Sequence, residues 1–73
     1  MRPVSDFAAN LRRIMRDRGM TQAELGRMVG ISQGNVSMYV TGRREPRATC
    51  IMRIATALGV SADDLLGVRR DDG

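Results

Sequence analysis

One stretch constrains this chain more than any other: Thr21 to Arg44, TQAELGRMVGISQGNVSMYVTGRR. Apolar residues recur at helical spacing on both sides of Gly30, and the stretch leaves through two consecutive arginines. The pattern predicts two short helices joined by a tight turn and followed by a basic exit. Thr21 with Glu24 is a capping-box signature: the hydroxyl accepts an orphan backbone N–H and the carboxylate reaches back to the cap. Leu25, Met28 and Val29 fall on the spacing of an inward face. Gly26 sits mid-helix, where glycine costs roughly 1 kcal/mol relative to alanine. A bare backbone there lets a second helix cross at close range. Gly30 supplies the positive φ that a sharp turn needs.

Ser32 is an N-cap type, so the second helix is expected from Gln33 to about Val40. Val36 and Val40 are four apart, with Tyr39 beside them, and form its inward stripe. Gln33, Gly34, Ser37, Met38 and Thr41 are left outside. That face is polar, uncharged and short, which suits base edges in a DNA major groove. The charge agrees: the chain carries +4 and a pI of about 11.0, which favours an anionic partner. All 12 basic residues are arginine. Arginine forms bidentate phosphate and guanine contacts, although a GC-rich genome accounts for the same bias.

The ordered residues resemble the Cro and lambda-repressor-like helix-turn-helix family over nearly the whole chain. Ahead of the motif stand Phe7, Leu11 and Ile14, then Gly19-Met20-Thr21-Gln22. After it stand Gly42-Arg43-Arg44, Pro46, the run Ile54 to Ser61, and Asp64-Leu65-Leu66. The resemblance implies an all-α, compact five-helix DNA-binding domain over residues 1–67, with 68–73 as a short C-terminal tail. Helix one is expected from about Asp6 to Arg18, capped by Ser5, with Phe7, Leu11, Ile14 and Met15 inward. Helix four is expected from about Ala48 to Leu58, with Ile51, Ile54, Ala55 and Leu58 on one face and Gly59 as its stop. Helix five opens at Ser61, with Asp63 and Asp64 near its positive end.

The resemblance also implies a sequence-specific regulator of transcription, of the repressor type, that reads double-stranded DNA with helix three. Its candidate contacts are Gln22, Ser32, Gln33, Gly34, Asn35, Ser37, Met38, Arg43 and Arg44. Gln22 opens helix two, where backbone N–H groups point toward a phosphate. Gln33 suits an adenine edge, and Ser32 and Ser37 suit phosphate or base. Asn35 either donates to phosphate or supports the first turn. Met38 either touches a thymine methyl or is a tolerated surface residue. Arg43 and Arg44 stand where the family places phosphate contacts. Arg12, Arg13 and Arg16 on helix one are weaker candidates that read as solvated, with Asp17 or Asp6 as alternative partners for Arg13 and Arg16. One short recognition helix reads few base pairs, so a homodimer on a near-palindromic operator is expected. Val60, Leu65 and Leu66 are the candidate seam, with the monomer core as the other place for Leu65 or Leu66.

Four positions depart from the family pattern. Gly34 replaces a longer polar side chain, which shifts specificity to Gln33, Ser37 and Met38. Met15 and Val40 stand where family members often pair an arginine with a glutamate. Replacing both halves of such a pair with packed apolar groups is often neutral or stabilising. Arg47 falls where a serine or threonine often caps helix four, so that helix start is expected to fray or to shift toward Thr49.

The inventory excludes most chemistry. The chain has no histidine, hence no imidazole base and no common metal ligand. Its single cysteine forms no internal disulfide and no nucleophilic dyad. No glycine-rich phosphate cradle of the P-loop type appears. No enzyme, metal or cofactor is expected. No apolar run spans a membrane and no signal-peptide pattern appears, so a cytoplasmic protein is expected. Two other classes share the fold: an antitoxin or restriction-modification controller, and a protein-interaction module that has lost DNA binding.

Overall fold

The computed structural model describes residues 6–67, as five helices: α1 (Phe7–Arg18), α2 (Gln22–Val29), α3 (Gln33–Val40), α4 (Ala48–Leu58) and α5 (Ala62–Leu66). Local chemistry sets the boundaries. Thr21 Oγ1 accepts the Glu24 N–H at 3.1 Å and Glu24 Oε1 accepts the Thr21 N–H at 2.8 Å, which closes the expected capping box on α2. Ser61 and Asp64 close a second one on α5, at 3.0 and 3.2 Å. Gly30 ends α2 at φ 85° and makes the turn into α3.

The core is one cluster. Phe7, Leu11, Ile14 and Met15 of α1 meet Leu25 and Val29 of α2, Val36, Tyr39 and Val40 of α3, Ile54, Ala55 and Leu58 of α4, and Leu65 of α5. The Phe7 and Tyr39 rings pack edge to face, with centroids 6.4 Å apart and planes at 83°. Burial, with the Cys50 thiol beside it, pushes the Tyr39 hydroxyl above its usual range. Cys50 itself is half-buried.

Gly26 serves the turn rather than a whole helix crossing. A Cβ built there would lie 2.7 Å from the Ile31 carbonyl oxygen. The Ile31 N–H donates to the Gly26 carbonyl at 2.9 Å. The bare backbone therefore holds α2 against the first residues leading into α3.

Four expectations are corrected. Met28 is 56% exposed rather than inward, because α4 leaves its side of the α2–α4 seam open. Ile51 is only half-buried, at the edge of the core. α4 begins at Ala48 although Arg47 makes no side-chain cap, and no shift to Thr49 occurs. The buried ring of Pro46 fixes the approach, and the Ile51 N–H donates to the Arg47 carbonyl at 2.9 Å. Asp6 occupies the N-cap of α1 without a side-chain hydrogen bond; Ser5, the expected cap, lies outside the described residues, as does the tail 68–73.

Candidate nucleic-acid interface

The site is built on α3. Ser32 Oγ accepts the Asn35 N–H at 3.1 Å, and the Asn35 and Val36 N–H groups both reach the Ser32 carbonyl at 3.1 Å. That cap fixes the first turn. With Val36, Tyr39 and Val40 buried, the helical period turns Gly34 outward, and Gln33, at the flank of the buried stripe in the first turn, is exposed as well. Ser37 and Met38 are half-buried on the same stretch, and Asn35 is half-buried beside the cap. Neither Gln33 nor Ser37 is packed into the core.

The exit from α3 is held by its own backbone. Thr41 Oγ1 donates to the Ser37 carbonyl at 2.9 Å. The N–H groups of Arg43 and Arg44 both turn back to the Met38 carbonyl, at 3.0 and 3.3 Å. Gly42, at φ 79°, permits this reversal. The result is a backbone-anchored turn from which two exposed arginines project just beyond α3. Gln22 lies at the start of α2 and is half-buried. The capping box there uses the N–H groups of Thr21 and Glu24, not those of Gln22 and Ala23, which belong to the open end of the helix. The Glu24 carboxyl is held below its usual range, first by the Thr21 backbone N–H, then by the Thr21 hydroxyl and the charge of Arg27.

The sequence reading missed two features. Arg12 is not merely solvated: its guanidinium donates to the Val40 carbonyl at the C-terminal end of α3. A cation there complements the helix dipole and satisfies an orphan carbonyl. Its partner lies 28 residues away, so no local pattern signals it. Arg47 and Arg53 join Arg44 around a cleft of about 580 Å³ between the α2–α3 turn and the start of α4, with Tyr39 and Cys50 in its wall. The Arg47 position just after Pro46 was the available signal. With Glu45 also in the lining, these arginines leave the cleft with an excess of positive charge.

The proposed seam is divided by the structure. Leu65 has 0% of its surface exposed and lies in the monomer core, so it has nothing to offer a second copy. Asn10 Nδ2 on α1 donates to the Leu65 carbonyl at 3.0 Å and ties this turn of α5 down. Val60 and Leu66 are half-buried and remain at the surface. No helix among the described residues is long and apolar enough to cross a membrane.

Comparison with known proteins agrees with this architecture. A family model described as helix-turn-helix matches residues 11–65. An uncharacterized HTH-type transcriptional regulator, y4dJ of Sinorhizobium fredii, is 38% identical over 58 residues, which is 80% of this chain and 75% of that protein. A crystal structure of a transcriptional regulator from Listeria innocua superposes with a TM-score of 0.82 at 25% identity, over 92% of this chain and 63% of that one. This chain thus spans less than two thirds of that regulator. The P22 c2 repressor, solved in complex with a synthetic operator, superposes with a TM-score of 0.78 at 30% identity, over 82% of this chain and 91% of that one. With the motif, the five-helix order and these likenesses in agreement, the chain belongs to the helix-turn-helix family and has the lambda-repressor-like fold.

Proposed function

We propose that this chain is a sequence-specific, double-stranded DNA-binding regulator of transcription, of the repressor type, acting in the cytoplasm. The observation that carries the reading is α3 itself, with an exposed first turn, polar and uncharged at Ser32 and Gln33, at one end and the backbone-anchored Arg43-Arg44 pair just past the other. A supporting parallel is the P22 c2 repressor, whose structure was solved in complex with a synthetic operator. In this reading α3 enters the major groove. Gln33 and Ser37 read base edges and Met38 meets a thymine methyl. Gln22, Ser32, Asn35, Arg43 and Arg44 hold phosphates and set the register.

Two copies bind a near-palindromic operator with their α3 helices about 34 Å apart, one turn of DNA. The seam is formed by Val60 and Leu66, which retain surface in the monomer. So small a seam gives a weak dimer in solution that forms mainly on DNA. Selection of bound sequences from a random duplex pool tests the reading, followed by sedimentation on the selected site. A two-to-one complex on a palindromic site is expected. A pool that shows no enrichment would refute sequence-specific binding, and a one-to-one complex with a single protected half-site would refute the dimer.

A further inference from the structure

Among the seven described glycines, Gly34 is the one for which the chain itself gives no reason. Gly19, Gly30, Gly42, Gly59 and Gly67 all have φ between 61° and 85°, where a side chain is strained. Gly26 has helical φ, but a Cβ there would strike the Ile31 carbonyl. Gly34 meets neither condition. It lies inside α3 without positive φ. A Cβ there would approach only Ser32 Oγ, at 3.8 Å, an ordinary contact. It is exposed, next to the exposed Gln33 and two residues after the cap that fixes the turn. Glycine is also the poorest helix former after proline. The fold would thus accept a side chain here and would gain helix stability from one.

We propose that Gly34 is kept bare by the ligand: the DNA presses against the α3 backbone at this position, at a distance that a Cβ would prevent. This rests on the DNA-binding reading above and deepens it. A residue without a side chain reads no base edge, so its role is depth. It lets the first turn of α3 sit far enough into the groove for Gln33 to reach a base edge. A methyl group at position 34 would hold the turn away and weaken the Gln33 contact as well. Gly34 therefore acts as a positioning residue, and α3 gives up helix stability at the point where it meets DNA.

Gly34→Ala in the full chain tests the inference by two readouts that move in opposite directions. Thermal unfolding should shift to higher temperature, because alanine is the better helix former. Affinity for the duplex selected by the unaltered chain should fall by about tenfold or more. The discrimination between that duplex and one altered at the base read by Gln33 should shrink too. Equal or tighter binding by Gly34→Ala would overturn the inference while leaving the DNA-binding reading intact. A lower melting temperature would also overturn it, by showing that the glycine serves the fold. If the unaltered chain itself selects no duplex, the DNA-binding reading fails first, and this inference with it.

Discussion

The Arg12 guanidinium on α1 donates a hydrogen bond to the main-chain carbonyl of Val40, at the last residue of α3. Family members often place a glutamate side chain at the Val40 position, facing an arginine at that of Met15. Here both of those side chains are apolar and buried, at 7% and 6% exposure. The polar link between α1 and α3 at this point is a charge on a helix terminus rather than a side-chain ion pair. Arg12→Met keeps the aliphatic stem and removes the donor. It should destabilise the domain by about 1 kcal/mol, since a single charge-assisted hydrogen bond at a partly open site is worth about that. Chemical denaturation measures the change. The selected DNA sequence should not change.

The contact of Gly26 with the turn is steric, and its effect on stability should be opposite in sign to that of Gly34. Gly26→Ala must displace the Ile31 carbonyl, because the added Cβ would lie 2.7 Å from it. Overpacking of this kind costs about 1–3 kcal/mol, which outweighs the roughly 1 kcal/mol that alanine returns in helix propensity. A lowered denaturation midpoint is expected. A raised one would mean that the turn shifts freely.

Much of this was legible in sequence because it is local. Thr21 with Glu24, Gly30, Ser32 and the Val36/Val40 stripe each act within one or two turns, and each appears in the structure where the pattern placed it. The misses are non-local. Met28 has core spacing, but whether α4 covers it depends on a helix more than twenty residues later. Arg12 finds its acceptor 28 residues away. Leu65 and Leu66 are indistinguishable by composition, and only the docking of α5 on α1 through Asn10 turns one of them fully inward. The outer residues of α3 follow as what remains after its inward stripe is assigned: Gln33 and Gly34 are exposed, and Ser37 and Met38 are half-buried.

That docking separates two neighbouring leucines. Leu65→Ala removes a fully buried side chain and should cost about 2–5 kcal/mol. Leu66 keeps surface. Leu66→Ser should cost the monomer much less, and should instead weaken association of two copies on a palindromic duplex. Thermal unfolding and sedimentation on the selected duplex read the two effects separately.

The capping box on α2 carries a pH signature. The folded Glu24 carboxyl titrates below its ordinary value of 4.5, chiefly through the backbone N–H of Thr21. A depressed acid pKa gives stability that is complete above the unfolded value and is lost as pH falls through the folded one. Acidification below about pH 4.5 should therefore loosen the start of α2, where Gln22 lies. Glu24→Gln should lower stability near neutral pH and flatten its dependence on pH across the acid range. Amide exchange at Ala23 to Leu25 follows the local opening.

The central claim is that α3 reads bases while the exit arginines hold phosphates, and one paired measurement tests it most directly. Affinity for the selected duplex is measured against salt concentration for the unaltered chain, Gln33→Ala and Arg44→Ala. Arg44→Ala should weaken all duplexes about equally and reduce the slope of log affinity against log salt by about one. Gln33→Ala should leave the slope unchanged and lose about 1–3 kcal/mol of discrimination at one base position. Unchanged affinity at low salt in both variants would contradict the account and leave α3 without a role in DNA recognition.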